Sequence, residues 1–233
     1  AVALLGIANY NYKLRYLLDF TYRIDGATTF GSNELYKSFW SVGAGWNLDR
    51  EAFAQDIKWL DRLKLRATYG LTGNQNIGTV YSKSVYQYFS ESNIFGQGIF
   101  LKELGNPNVP WQVASDTGIG IDFQGFGNRV SLTVDFFYKK TSPLIVNVPQ
   151  IGSAGLGFYP MHLGKLTNKG VDFVLSVSPV YNVEKSIFWT IRLTGSYYMN
   201  RYDGFGSLMD NLNESLVASN ILQRYADGYS PKD

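Results

Sequence analysis

The strongest constraint on the 233-residue chain is an alternation of period two that runs along most of its length. In residues 15–31, RYLLDFTYRIDGATTFG, Tyr16, Leu18, Phe20, Tyr22 and Ile24 fall on one parity. Asp19, Thr21, Arg23 and Asp25 fall on the other. A helix would scatter both sets around its axis, whereas a strand sends successive side chains to opposite faces. The same sorting recurs at Trp40, Val42, Ala44, Trp46 and Leu48, and at Leu63, Leu65, Ala67 and Tyr69. It returns at Ile119, Ile121 and Phe123, through Val130–Tyr138, through Val171–Val177, and from Ile187 to Met199. The pattern predicts an all-β, antiparallel chain.

The charges say what the two faces meet. Within these strands Asp19, Arg23, Asp25, Lys64, Arg66, Asp122, Asp135, Lys139, Asp172 and Arg192 all lie on the polar parity. A soluble sandwich with a wet outer face would produce this, and so would a membrane barrel with its apolar parity in lipid. Length favours the barrel. Several runs reach about 9–11 residues, what a tilted strand needs to cross a bilayer, whereas soluble strands average about 5–6. Aromatic residues also sit near the ends of the apolar runs, as interfacial girdles would: Tyr16 and Tyr22, Trp40 and Trp46, Trp189 and Tyr197.

The connections alternate in length. Segments 10–15, 124–129 and 181–186 read as short turns, and 49–62, on the same end, reads as weakly helical. Segments 26–37, 73–112, 140–169 and everything after 200 read as long links at the other end. Outer-membrane barrels have this asymmetry between rims, and a sandwich has no reason for it.

Composition narrows the chemistry. With 45% hydrophobic and 17% charged residues the chain is not a disordered polyelectrolyte. The absence of cysteine removes disulfides, Fe–S clusters and thiol nucleophiles. A net charge of +2 does not call for nucleic acid. No run approaches the 18–20 apolar residues of a membrane helix, and no secretory signal peptide is visible. A mean hydropathy of −0.13 is what alternating barrel strands average to.

No catalytic, cofactor or metal site emerges. His162 has no second histidine or cysteine to join it and reads as a polar loop residue. Asp49, Glu51 and Asp56 read as solvated turn charges. Neither GSAGLG (152–157) nor the glycines of VGAGW sit between a strand and a helix with a following Lys-Ser/Thr, so neither is a phosphate loop. Gly43 and Gly45 instead relieve crowding on the polar face or mark strand curvature. The segment 79–112 is the candidate ligand- or partner-contacting loop, because Tyr81, Tyr86, Tyr88, Phe89 and Phe95 stand there among hydroxyls and amides. Flat aromatic faces beside polar groups suit oligosaccharides or peptides, and the same residues would also serve as a cluster packing loops together.

Several blocks in order resemble the SusC/RagA family of TonB-dependent outer-membrane transporters. Arg23, Asp25, Gly26, Phe30 and Gly31 match its strand and following loop, and Ser41, Gly45 and Trp46 its next strand. LDRLKLRATYGLTGNQNIG is the most specific stretch, and GNPNVPW (105–111) and LTNKGVDF (166–173) add to it. The resemblance implies a segment of a 22-stranded barrel, of which eight or nine strands are expected here. Residues 1–233 are then a partial barrel domain, with the plug, the N-terminal domain and the final barrel strands outside it. It further implies a non-enzymatic, cofactor-free importer in the outer membrane of a Gram-negative bacterium. Its partners would be outer-membrane lipid, a SusD-like lipoprotein, TonB and an oligosaccharide or peptide substrate. Asp19, Arg23, Arg66, Asp122, Asp135 and Arg192 become candidate lumen- or plug-facing wall residues. A non-transporting β-sandwich adhesin or lectin and a small passive outer-membrane barrel are the alternatives.

Overall fold

The computed structural model describes residues 2–27, 33, 35–74, 83–105, 110–149, 158–182, 187–210, 213–214 and 225–230. One eight-stranded antiparallel meander dominates them. Its strands are β1 (Val2–Tyr12), β2 (Tyr16–Gly26), β3 (Tyr36–Asn47), β4 (Leu60–Asn74), β7 (Gln112–Gly125), β8 (Val130–Ser142), β11 (Lys165–Asn182) and β12 (Ile187–Asp203), hydrogen-bonded in that order. The strands are 11 to 18 residues long. An 11-residue strand is about 35 Å, or about 27 Å along an axis from which it tilts by about 40°.

The expected loops contain more structure than alternation predicts. Between β4 and β7 rises a hairpin, β5 (Val85–Asn93) and β6 (Gly96–Glu103). Between β8 and β11 stands another, β9 (Leu144–Pro149) and β10 (Phe158–Leu163). His162 belongs to β10, so it is a strand residue and not a loop residue. Gly73 and Asn74, read as the start of the long link, still belong to β4.

The short-turn end is tied together laterally. Asn47 donates its backbone N–H to the Arg15 carbonyl at 2.8 Å and its side-chain amide to the Leu14 carbonyl at 2.6 Å. The Leu63 N–H reaches Asp49 Oδ1, and the Asn128 N–H reaches Asp61 Oδ2. Lys13 and Leu14 take positive φ (52° and 55°) to turn β1 into β2. There the Asn11 carboxamide oxygen accepts the Leu14 N–H at 2.9 Å and offsets some of the strain. A 3-10 turn at Leu48–Arg50 and the single helical turn α1 (Ala52–Gln55) account for the weakly helical reading of 49–62.

Register fixes the faces. The rows Tyr16↔Trp46↔Leu65↔Ile121↔Val134 and Leu18↔Ala44↔Ala67↔Ile119↔Phe136 run across adjacent strands on the apolar face. No second layer covers that face among the described residues: Ile119 is 57% exposed, Phe136 51% and Leu193 56%. A sandwich would bury these side chains against another sheet, so the architecture is a one-layer wall. Apart from Ala54 in α1 and Ala114 in β7, the buried hydrophobic side chains among the described residues form two clusters, and both lie at the long-loop end. One is Ala27, Phe39 and Trp111; the other is Tyr202, Phe205 and Met209.

One expectation is corrected. Charges do not keep wholly to the polar parity, because β8, β11 and β12 run further than the readable alternation. Their long-loop ends place Lys140, Lys165, Lys169, Arg201 and Asp203 on the apolar parity.

Candidate functional site

The polar face carries a connected charge network at mid-wall. Arg66 on β4 grips Asp122 on β7 with two hydrogen bonds, Nε to Oδ2 at 2.7 Å and Nη2 to Oδ1 at 3.1 Å. Its Nη2 also donates to Asp135 Oδ1 on β8 at 2.9 Å, although β4 and β8 are not neighbours. The row Arg66↔Gly120↔Asp135 explains the reach. A Cβ at Gly120 would lie 2.5 Å from Asp135 Oδ1 and 2.8 Å from the Arg66 guanidinium. Absence of a side chain on β7 therefore lets the guanidinium lie across it. Thr133 adds a hydroxyl donor to Asp122 at 3.2 Å. The planar fork of arginine suits this bidentate arrangement better than lysine would.

Arg66, Asp122 and Asp135 form this one network, and the other predicted wall residues lie apart from it on the same face. Arg192 donates to Ser176 Oγ at 3.3 Å. Asp19 is exposed beside Gly43. Arg23 sits at the long-loop end, 2.8 Å from Asp25, with its guanidinium 5.8 Å from the Phe39 ring centre. Asp25 is 1% exposed, so it is an interior charge paired to Arg23 and not a wetted wall residue. A second ion pair that alternation did not single out, Lys139 with Asp116 at 3.5 Å, stands further up the wall.

The aromatic hairpin β5–β6 rises from the long-loop end. Tyr86, Tyr88 and Phe89 are exposed along it, and Phe95 is 91% exposed at its tip. Phe89 packs on Phe100 with ring centres 4.9 Å apart. Tyr86 and Tyr88 pair with Leu101 and Ile99, placing two phenols and two aliphatic chains on one hairpin face. Tyr81 lies outside the described residues.

At the opposite rim, Glu51 corrects its reading as a solvated turn charge. Its carboxylate accepts from Tyr16 Oη at 2.9 Å and Trp46 Nε1 at 3.1 Å, and Arg15 stands 3.4 Å away. The bond from Trp46, then that from Tyr16, lowers its pKa below the usual glutamate value. Tyr12, Tyr16 and Trp46 stack in a row at 6.5 and 6.3 Å, forming an aromatic belt along the short-turn edge of the apolar face. Among the described residues no group of His, Cys, Asp and Glu could hold a metal ion.

Residues 2–225 match the family described as TonB dependent receptor-like, β-barrel. TonB-dependent receptor P39 of Formosa agariphila is 30% identical over 218 residues, covering 89% of this chain and 20% of its own length. TonB-dependent receptor SusC of Bacteroides thetaiotaomicron is 29% identical over 200 residues, covering 82% and 19%. The chain thus spans about a fifth of the curated relatives it matches. Among solved structures, the RagAB peptide transporter superposes with a TM-score of 0.76 at 27% identity, over 88% of this chain and 22% of that one.

Proposed function

The chain belongs to the TonB-dependent receptor-like β-barrel family, and from that premise we propose that it forms part of the wall of an outer-membrane importer of SusC/RagA type. The observation that carries this reading is the uncovered apolar face of a one-layer sheet. Leu18, Phe20, Ile119, Phe136 and Leu193 are exposed on one parity, and in water such a surface would drive aggregation. In a bilayer the same face is solvated by acyl chains, and aromatic side chains mark its edges.

On this reading the polar face lines the lumen. Arg66, Asp122, Asp135, Asp19, Arg23 and Arg192 bound a wet passage or bond to a plug held inside the barrel. Arg66, Asp122 and Asp135 already satisfy one another, so they stiffen the wall before they touch any cargo. The exposed aromatics of β5–β6 stand where arriving substrate would meet the long-loop rim. They support a bulky nutrient with apolar and hydrogen-bonding surfaces, an oligosaccharide or a peptide. Capture involves a SusD-like lipoprotein, and release into the periplasm is driven through TonB. The chain catalyses no bond-making.

The test is uptake of labelled oligopeptide and oligosaccharide by cells carrying the protein, with and without functional TonB. Energised uptake that disappears with TonB supports the proposal. Uptake that persists without TonB makes the protein a passive pore, and recovery from the soluble fraction without detergent removes it from the membrane altogether.

A further inference from the structure

The exceptions to the parity rule are not scattered. Lys140, Thr167 and Arg201 form one row across β8, β11 and β12. Lys169 lies two residues along β11 on the same face, between Tyr138 and Met199. Lys165 is neutralised by its register partner Asp203. Lys140, Lys169 and Arg201 are exposed, and none has a carboxylate within ion-pair distance among the described residues. Lys169 and Arg201 border a cleft of about 460 Å³ whose walls also include Tyr138, Thr167, Met199 and Asp203, the last already paired with Lys165. Lys140 stands beside it as the register partner of Thr167.

Like charges on adjacent strands repel, so three cations in one patch, where the neighbouring carboxylate of Asp203 is already bonded to a fourth, Lys165, need an explanation. Ordinary snorkelling of cations toward the headgroups would distribute them around the rim. The long-loop ends of β2, β3, β4 and β7 place Ile24, Ser38, Leu71 and Ser115 at the apolar-face positions instead. Lys140 and Arg201 are two strand spacings apart, about 10 Å, and Lys169 is about 7 Å along the strand from the row between them. A single phosphate is within reach of all three side chains. Directly below, Phe136, Val171 and Tyr197 continue the apolar face away from the rim.

We propose that Lys140, Lys169 and Arg201 form a binding site for the phosphorylated headgroup of an outer-leaflet lipid, with its acyl chains lying over Tyr138, Met199 and the residues below. The inference rests on the membrane reading above. The depth of the patch, where the apolar band meets the outer rim, and its charge both select an anionic lipid. A lumen substrate would meet the opposite face.

The experiment uses the protein purified from outer membranes and reconstituted in phosphatidylcholine nanodiscs, with and without diphosphoryl lipid A. Bound lipid A is quantified for the native protein, for a K140A/K169A/R201A variant, and for a K13A/K37A control. Gel migration before and after heating reports whether each barrel is intact. The triple variant should remain folded and lose affinity on the order of 100-fold, the combined effect expected of three interfacial cations. The control should bind as the native protein does, and inorganic phosphate should not displace the lipid. Equal retention by the triple variant overturns the proposal. Displacement by inorganic phosphate reassigns the patch to a free anion. Loss of the lipoprotein partner with lipid retention unchanged reassigns it to a protein interface. If the triple variant alone migrates as unfolded, single substitutions replace it, and unchanged retention by all three overturns the site. Failure of the native protein to enter nanodiscs at all would instead overturn the membrane reading.

Discussion

Arg66 and Asp135 are hydrogen-bonded at 2.9 Å from strands that do not touch, with Gly120 of the intervening strand beneath them. The consequence is a three-strand clamp on the polar face whose weakest point is a missing side chain. Gly120→Val should break it, because even a Cβ would fall inside van der Waals contact of both partners. We expect a loss of about 1–3 kcal/mol, as for other overpacked sites. Arg66→Lys keeps the charge but cannot bond bidentately, and should lose about 1 kcal/mol or less at this partly solvated position. Urea unfolding of the barrel in lipid vesicles measures both.

Leu193 and Thr194 are adjacent in β12 and point to opposite faces. Leu193→Arg should destabilise the folded protein in bilayers by about 2–4 kcal/mol if it lies near the midplane, and Thr194→Arg by well under 1 kcal/mol. Equal costs at the two positions in the same unfolding assay would contradict the assignment of faces.

Gly73 holds the Phe39 ring in the first buried cluster. An added Cβ would stand 2.1 Å from Phe39 Cζ. Gly73→Ala should cost about 1–3 kcal/mol through overpacking, and Phe39→Leu in the same protein should restore part of it. Non-additivity in the double-mutant cycle is the readout.

Glu51 couples the short-turn rim to pH. Its pKa is lowered in the folded state by the bonds from Trp46 and Tyr16, so near its unfolded pKa the unfolded chain binds more protons. Stability from this group is complete above the unfolded value of 4.5 and is lost as pH falls through the lower folded value. The barrel melting temperature should drop more steeply below pH 4.5 in the native protein than in Glu51→Gln, in which this titration is absent.

His162, the single histidine, titrates below its usual value of 6.5 because burial partly desolvates it. Burial disfavours the imidazolium, so stability of the hairpin is complete above pH 6.5 and declines as pH falls below it. An NMR titration of its ring protons should give a midpoint under 6.5, and disruption of the hairpin should move it upward.

Much of this was legible in the chain because strand geometry is local. Period two in Tyr16–Ile24 or Val130–Tyr138 fixes which side chains share a face without knowledge of any neighbour. Alternation failed where both parities are apolar. Leu4, Leu5 and Ile7 of β1 fall on both faces, so the edge strand is silent in the pattern. It failed again where long links fold on themselves: β5–β6 carries register shifts that break its parity, and β9–β10 pairs regularly but over only six residues on each strand. The family resemblance rested on particular residues such as Arg66, Tyr69 and Gly70, which mark strand β4 but carry no partner information.

Sequence alone therefore determined that this is a β chain with one apolar and one charged face, strands of membrane-crossing length and unequal rims. These follow from backbone periodicity and chain length between turns. Only the tertiary structure decided that no second layer covers the apolar face among the described residues, that Arg66 reaches Asp135 across Gly120, and that Asp25 is interior. It also gathered Lys140, Lys169 and Arg201 into one patch. Each of those depends on strand order and register, which bring together residues tens of positions apart and leave no trace in local spacing.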